Sequence, residues 1–232
     1  GGAVMWTGHN GDIINSRFIG NNASRRGGAV FMQGASDENC DNLTIDLSTF
    51  EDNYAGVNGG AVDWYRGAHD GKLYNSTFKN NIAMRSGGAV YWYGTDGEIR
   101  NVSFTDNKAY GLVDAPSSYG YNTTGGDGGA VMWTGSNGVV DNSTFINNWA
   151  AARGGAVFLQ GSVEGNCTNT TFTNSYFRSN TAETNGGAID WYEGAHDGIV
   201  DNLTFIDNTA KRNGGAIFWH GINGIVRNSK FI

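Results

Sequence analysis

Apolar and polar residues alternate in short runs that follow a recurring glycine pair. The sequence Gly-Gly-Ala-(Val or Ile) occurs eight times, and the alternate position after its Val or Ile holds Trp, Met or Leu. Because successive side chains of a strand point to opposite faces, this set predicts a short strand with its aliphatic and Trp side chains directed inward. The pairs begin at Gly1, Gly27, Gly59, Gly87, Gly128, Gly154, Gly186 and Gly214.

The other alternate set on this strand mixes polar and aromatic side chains, and its Asp, Gln and His members predict that it faces outward. Its aromatic members could form an exposed interaction surface, on which rings stack against a glycan. They could equally form cross-strand pairs that only stiffen a sheet. The predicted strip consists of Phe31, Tyr65, Tyr91, Tyr93, Phe158, Tyr192, Phe218 and His220.

Two more strands are predicted between glycine pairs. An aliphatic residue precedes a recurrent Phe by five positions in six copies, and an Asn three positions before that Phe favours a left-handed bend. In the first seven copies the Phe continues as Phe-x-x-Asn-x-Ala, whose Asn side chains could hydrogen-bond as a stacked ladder. The recurrent residues are Phe18, Phe50, Phe78, Phe104, Phe145, Phe177, Phe205 and Phe231.

The spacings of the glycine pairs are 26, 32, 28, 41, 26, 32 and 28 residues, so each of the first four copies has a twin 127 residues later. Three short strands and three corners per repeat predict an all-β, right-handed parallel β-helix. We expect about eight rungs, a rung being one coil of the chain, in two four-rung blocks. Residues 1–232 would form one body, with an internal duplication of 1–127 and 128–232, the latter truncated, and an inserted loop at 110–126.

The repeats resemble those of two surface-protein families. Gly-Gly-Ala-(Val or Ile) paired with Phe-x-x-Asn is similar to the repeats of chlamydial polymorphic outer-membrane proteins, and more similar to those of the adhesin-like surface proteins of methanogenic archaea. The stretch at 142–157, Asn-Ser-Thr-Phe-Ile-Asn-Asn-x-Ala-x-x-x-Gly-Gly-Ala-Val, carries the resemblance best. It implies a pectin-lyase-like β-helix, display at the extracellular cell surface and adhesion, with no catalytic residues to transfer.

Charge and hydropathy limit the kinds of binding partner that the sequence predicts. The net charge of −7 argues against a nucleic-acid partner, and no apolar run approaches the roughly 20 residues of a membrane span. Because the chain opens and closes within repeats, we expect it to be a segment of a longer protein, able to stack end to end with further repeats. The expected partner is a glycan or protein on another cell.

The candidate ligand site is a pair of twin loops that follow the first strand of the third and seventh rungs. Tyr would offer a stacking platform and His and Asp hydrogen-bonding groups, which suits a sugar; the alternative is a simple β-turn closed by Ala-His-Asp-Gly. With neighbouring aromatic positions, the predicted ligand-binding residues are Asp63, Tyr65, His69, Asp70, Tyr93, Asp190, Tyr192, His196, Asp197, Phe218 and His220.

Catalysis is the less favoured hypothesis. A glycosidase needs two carboxyl groups about 5–9.5 Å apart, whereas Phe31 and Tyr91 stack on Asp63. Only Asp70 of the same rung could partner it. A polysaccharide lyase or glycoside hydrolase therefore remains the alternative to an adhesin, and a purely structural cell-wall or filament component is a third possibility.

The remaining polar residues receive simple predictions. Twins Cys40 and Cys167 lie four rungs apart, too far for a disulfide, so two free thiols are expected, with no bound metal and no cofactor. Arg25-Arg26 and Lys211-Arg212 are predicted to be solvated corner residues. If the protein is exported, the favoured glycosylation acceptors in the long loops are Asn42, Asn122, Asn166 and Asn169.

Overall fold

The chain coils into a right-handed parallel β-helix, as predicted. The computed structural model describes residues 1–34, 40–111, 125–161 and 167–232. Strands of successive rungs pair in parallel and in register, so that Val62 lies between Val30 and Val90. Within these described residues, three sheets hold eight strands each and a fourth holds seven, which gives seven complete rungs.

The strands are two or three residues long. Sheet 1 contains Val4–Trp6, Val30–Met32, Val62–Trp64, Val90–Trp92, Val131–Trp133, Val157–Leu159, Ile189–Trp191 and Ile217–Trp219. Sheet 2 contains Asp12–Ile14, Thr44–Asp46, Lys72–Tyr74, Glu98–Arg100, Val139–Asp141, Thr171–Thr173, Ile199–Asp201 and Ile225–Arg227. Sheet 3 contains Arg17–Ile19, Thr49–Glu51, Thr77–Lys79, Ser103–Thr105, Thr144–Ile146, Tyr176–Arg178, Thr204–Ile206 and Lys230–Phe231.

A fourth sheet replaces what the repeat pattern predicts as a corner. Its strands have two residues, too few for alternation to reveal them, and each ends in an Ala directed inward. Its members are Asn22–Ala23, Tyr54–Ala55, Ile82–Ala83, Lys108–Ala109, Trp149–Ala150, Thr181–Ala182 and Thr209–Ala210. A small additional ladder pairs Cys167–Thr168 with Ala195–His196.

The glycine pair makes the corner before sheet 1. Gly59, the first of its pair, has φ of 62°, a conformation that a side chain disfavours. A Cβ on the second, Gly60, would lie 1.9 Å from the carbonyl oxygen of Gly88 in the next rung. Neither position tolerates another residue without a backbone shift, which explains why the pair recurs in every rung.

Stacked aromatic columns fill the interior. The Phe residues of sheet 3 form one continuous column with ring centroids 4.5–5.1 Å apart, which confirms the predicted stack. A second column on sheet 1 includes Trp64, Trp92 and Trp133, separated by 4.3 and 4.7 Å. These rings are fully buried in the middle rungs, so each contributes roughly 1.5–3 kcal/mol to folding through burial.

Asparagines hold the other corners. The six Asn residues that precede the Phe by three positions have φ between 44° and 58°, the left-handed bend predicted for them. The Asn after the Phe forms the predicted ladder: the side chain of Asn107 donates to Asn148 at 3.0 Å and accepts from Asn81 at 2.9 Å. The Asn107 side chain also donates to the Phe78 carbonyl at 3.0 Å. Buried side-chain amides therefore hydrogen-bond consecutive rungs to one another.

The predicted inserted loop at 110–126 falls largely outside the described residues, which stop at Gly111 and resume at Gly125. At its start, Tyr110 packs edge-on against Trp149 with a centroid separation of 5.3 Å. The internal duplication stays a prediction from spacing.

Candidate functional site

The twin loops after sheet 1 are β-turns. The amide of Ala68 donates to the Tyr65 carbonyl at 3.1 Å, and that of Ala195 to the Tyr192 carbonyl at 3.0 Å. Gly67 and Asp70 have φ of 71° and 51°, and Gly194 and Asp197 have the same left-handed form. The simple β-turn therefore accounts for the Gly and Asp of the motif.

The histidines of these loops join neighbouring rungs. His69 Nδ1 accepts a hydrogen bond from the backbone amide of Thr95 at 3.1 Å, and His196 Nδ1 accepts one from that of Ile222 at 3.2 Å. Asp70 and Asp197 are exposed, and Asp197 accepts from the Asn223 side chain at 2.8 Å. Part of this predicted sugar-binding set thus stabilises the coil, and a ligand role for these residues stays a prediction.

The structure contradicts the expected exposure of two candidate residues. Asp63 and Asp190 point away from the Trp column, as alternation predicted, yet both are completely buried. The cause is a cover of long side chains from other rungs, which alternation within one strand does not reveal. Neither carboxyl group, as placed, can reach a polymer in solvent.

Two arginines form this cover, so the prediction that Arg26 is a solvated corner residue is also wrong. The Arg26 guanidinium lies 4.0 Å from the centroid of the Tyr65 ring, and its Nη1 donates to Asp63 Oδ2 at 3.1 Å. Its twin Arg153 lies 4.3 Å from the rings of both Phe158 and Tyr192. Each guanidinium therefore makes cation–π contacts with rings of the outer face, and that of Arg26 also pairs with the buried Asp63 carboxylate.

The two arginines differ in their ion pairs. Arg153 donates from Nε and Nη2 to Asp127 at 2.9 and 3.0 Å, a bidentate pair. Neither oxygen of Asp190 then has a hydrogen-bond partner among the described residues. Burial raises the pKa of Asp190 to about 7, with Arg153 lowering it and Asp127 raising it further. Burial also raises the pKa of Asp63, to about 6, against the opposing charge of Arg26.

The aromatic strip is more enclosed than predicted. Phe158 is buried, as are Tyr91 and Tyr93, which retain 7% and 6% of their exposure. These three rings and Met132 form a small apolar cluster with Tyr192 packed against it. The tilted contacts between Phe31, Tyr65 and Tyr93, with centroids 6.1 and 5.8 Å apart, agree with rings that also stiffen the sheet.

Five members of the strip remain partly accessible. Tyr65, Phe31, Tyr192 and Phe218 are half-buried, and His220 is exposed, with its ring set edge-on to Tyr192 at 5.5 Å. An open cavity of about 610 Å³ lies beside the first of these and is lined by Phe31, Gln33, Tyr65, Arg26 and Arg66 among others. The sequence analysis did not assign Arg26 and Arg66 to this cavity. The available signal was the recurrence of Arg26 as Arg153, directly before a glycine pair.

The cysteines are buried free thiols, as predicted. Cys40 and Cys167 donate to backbone carbonyls of the preceding rung, each at 3.2 Å. Burial raises the pKa of Cys40 to about 11 and that of Cys167 to about 12, so neither is a reactive thiolate at neutral pH.

Two of the four glycosylation candidates can be placed. Asn42 and Asn169 are exposed in left-handed turns, where their side chains donate to Asn10 and Asn137 of the preceding rung at 2.9 and 3.2 Å. Asn122 and Asn166 lie outside the described residues. Within the described part of the chain, no His, Cys, Asp or Glu side chains converge as a metal site would require. That part also contains no helix with the length and apolar character of a membrane span.

Stacked parallel rungs with buried aromatic and Asn columns define the class of right-handed parallel β-helix proteins. The family model described as a right-handed beta helix region matches residues 1–231, so the chain belongs to that family. No curated protein matches the chain.

Two solved structures are similar to it. The catalytic domain of a GH87 α-1,3-glucanase, determined with tetrasaccharides, has a TM-score of 0.54 at 12% identity, over 95% of this chain and 46% of that one. A PL6-family alginate lyase has a TM-score of 0.45 at 15% identity, over 99% of this chain and 35% of that one. At 12% identity the likeness to the glucanase shows the fold alone. This chain spans less than half of either protein.

Proposed function

We propose that this β-helix is a non-catalytic binding segment of an extracellular, cell-surface adhesin, and that sheet 1 contacts a glycan or protein on another cell. The observation that carries the proposal is the open groove beside Tyr65, walled by aromatic and guanidinium groups. Such walls suit ring stacking and hydrogen bonding to sugars. The carboxyl groups of the same sheet, Asp63 and Asp190, are buried.

The burial of these carboxyls favours binding over hydrolysis. A general acid and base must reach the glycosidic oxygen and an attacking water, and Asp63 is instead covered by Arg26 and Tyr65. A polysaccharide lyase or hydrolase is the alternative, and the resemblance of fold to such enzymes supports it only by analogy.

A glycan-array screen of the chain tests the proposal, with the Tyr65→Ala/Tyr192→Ala double variant as comparison. Both tyrosines are half-buried on the outer face, so the coil should remain folded, which circular dichroism and a thermal melt check. We expect the folded variant to lose binding. Binding that is unchanged in the variant would contradict a site on sheet 1, and consumption of a bound polysaccharide would support the enzymatic alternative.

A structural role is the second candidate, favoured by the continuity of the interior. Trp92 stacks on Trp133 at 4.7 Å and Phe104 on Phe145 at 4.9 Å, and the buried Asn ladder joins the same rungs. A coil tied together in this way suits a rigid spacer. A chain that binds no glycan in the array would support this second candidate.

A further inference from the structure

The corner before sheet 1 differs between the two blocks in one side-chain hydrogen bond. In the second block, Asn213 donates from Nδ2 to Asn185 Oδ1 at 3.0 Å. The residues 127 positions earlier are Ser86 and Asn58. Both pairs form the same parallel backbone bridge between rungs. Ser86 therefore stands where the second block has an amide donor, and its side chain carries no amide for Asn58.

The oxygen that loses this donor is buried. Asn58 is only 3% exposed, and its Oδ1 has no hydrogen-bond partner among the described residues. An amide oxygen that leaves water on folding and gains no donor destabilises the folded state. Buried polar atoms of this kind are nearly always paired with a protein group or with an ordered water molecule.

A small cavity lies at this corner. Asn58 and Ser86 both line it, together with Asp127 and Thr134 among others, and its volume is about 30 Å³. One water molecule needs roughly 10–15 Å³ of such space and two to four polar partners. The cavity is therefore large enough for a water molecule, and its lining supplies hydroxyl and carboxylate groups for the further hydrogen bonds of that water.

The charges around the cavity favour a neutral ligand. Arg26, Arg66 and Arg85 are among its lining residues, so a cation would face guanidinium groups. An anion would face the amide oxygen of Asn58 and the carboxylate of Asp127. Water carries no net charge and can donate two hydrogen bonds, so it satisfies the buried acceptor without either repulsion.

We propose that this cavity binds a water molecule that donates to Asn58 Oδ1, in place of the amide that Asn213 supplies in the second block. The water joins the third and fourth rungs at their corner. The cavity shares Arg26, Tyr65 and Arg66 with the open groove beside it. The water is thus a group that a ligand in that groove must keep or displace, although the inference itself does not depend on the proposed function.

High-resolution crystal structures of the wild-type chain and of Ser86→Asn test the proposal. The wild type should show a water oxygen roughly 2.7–3.2 Å from Asn58 Oδ1. Ser86→Asn copies the second block, so the introduced amide should take the place of the water and donate to the same oxygen. Because the cavity accommodates the larger side chain and an ordered water is released, the midpoint of urea unfolding should be unchanged or higher.

Oxygen-17 relaxation dispersion of the solvent counts long-lived internal waters in solution. We expect the count to fall by one from the wild type to Ser86→Asn. Ser86→Ala, which supplies no amide, should keep the water. Asn213→Ser is the reciprocal control and should leave the count unchanged, because that corner is exposed and water there exchanges freely. If Ser86→Asn does not fold, Asn58→Leu, which removes the acceptor, should lose the same water.

Three results would overturn the inference. One is a wild-type structure in which no water, or a protein group, donates to Asn58 Oδ1. Another is an equal number of long-lived waters in the wild type and in the folded variant that should lose one. The third is an anomalous peak at the site in crystals grown with rubidium, which would show a bound cation instead of water. None of these results would alter the outcome of the glycan-array screen, so the two proposals fail separately.

Discussion

Replacement of Asp190 by Asn should stabilise the protein at alkaline pH. The carboxyl is fully buried, and neither of its oxygens has a hydrogen-bond partner among the described residues. Its nearest cation, Arg153, is bound to Asp127 through two hydrogen bonds. Ionisation therefore places a second negative charge beside one positive charge in a site that water does not reach, and an amide of the same shape avoids it.

The magnitude follows from the pKa. Burial raises the pKa of Asp190 from 3.8 to about 7. The folded chain then holds this proton where the unfolded chain has lost it, so the free energy of unfolding falls as pH rises between about 4 and about 7. The full difference corresponds to about 4 kcal/mol. Asp190→Asn should remove this loss, and its advantage over the wild type should be small at pH 4–5 and reach several kcal/mol at pH 8.

Asp63→Asn is the matched control, because the twin aspartate has the same burial but a different partner. Asp63 accepts a hydrogen bond from Arg26 at 3.1 Å, and that arginine is itself only 12% exposed. Removing the carboxylate leaves a largely buried cation without this partner, which is destabilising. The pKa of Asp63 is raised only to about 6, so its variant should gain less with rising pH than Asp190→Asn does. Together with the lost ion pair, this should leave little gain or a net loss from Asp63→Asn at pH 8.

Urea unfolding of the three proteins, followed by circular dichroism at several values of pH from 5 to 8, measures these differences. Groups shared by all three proteins cancel when each variant is compared with the wild type. The reasoning is refuted if Asp190→Asn gives the same shift in midpoint at pH 5 as at pH 8, or if the two twin variants behave alike.

Three further predictions concern the scaffold. Asn107→Ala should lower the free energy of unfolding, measured in urea, by about 3 kcal/mol or more, because it leaves the Phe78 carbonyl and the Asn81 amide groups unpaired in the interior. Asn21→Ala, at the end of the ladder, should lower it by only about 1 kcal/mol. Equal effects of the two variants would contradict the proposed role of the ladder. Phe145→Ala should lower the free energy of unfolding by about 3–5 kcal/mol, because it leaves a cavity in the core. Phe231 is half exposed, so Phe231→Ala should lower it much less. An unchanged melting temperature of the Phe145→Ala variant would contradict the stacked Phe column. Iodoacetamide at pH 8 should label Cys167 only after denaturation, and native labelling detected by mass spectrometry would show that the coil opens there.

The scaffold was predictable from sequence because its determinants are local and repeated. The role of each key residue can be recognised from its neighbours within a few positions, and it recurs in successive rungs. Such residues are the glycine with positive φ, the Asn in a left-handed bend and the inward-facing Phe. The two-residue strands of the fourth sheet were not predictable, since two residues such as Trp149–Ala150 cannot display a period.

The surface of the candidate site was predicted less well for the opposite reason. The alternation of side chains along the strand correctly predicts that Asp63 points away from the interior. Its burial, however, depends on Arg26, which lies 37 residues away in sequence and belongs to another rung. A run of two arginines before a glycine pair resembles an ordinary charged corner. Only the stacking of rungs shows that one of them folds back across the sheet over Tyr65.

The repeat also indicates where selection for a ligand can act. Twin positions share a corner, a buried column and a ladder, so the interior restricts them equally, and substitution there disrupts packing. The outer rim carries no such restriction, and it is there that Arg25 and Arg66 correspond to Ala152 and Glu193. The twin loops therefore keep one backbone geometry while the charge on their outer face differs, with Arg66 in the first block and Glu193 in the second. A substitution at such an outer position can change what the surface contacts without disturbing the buried columns that hold the coil together.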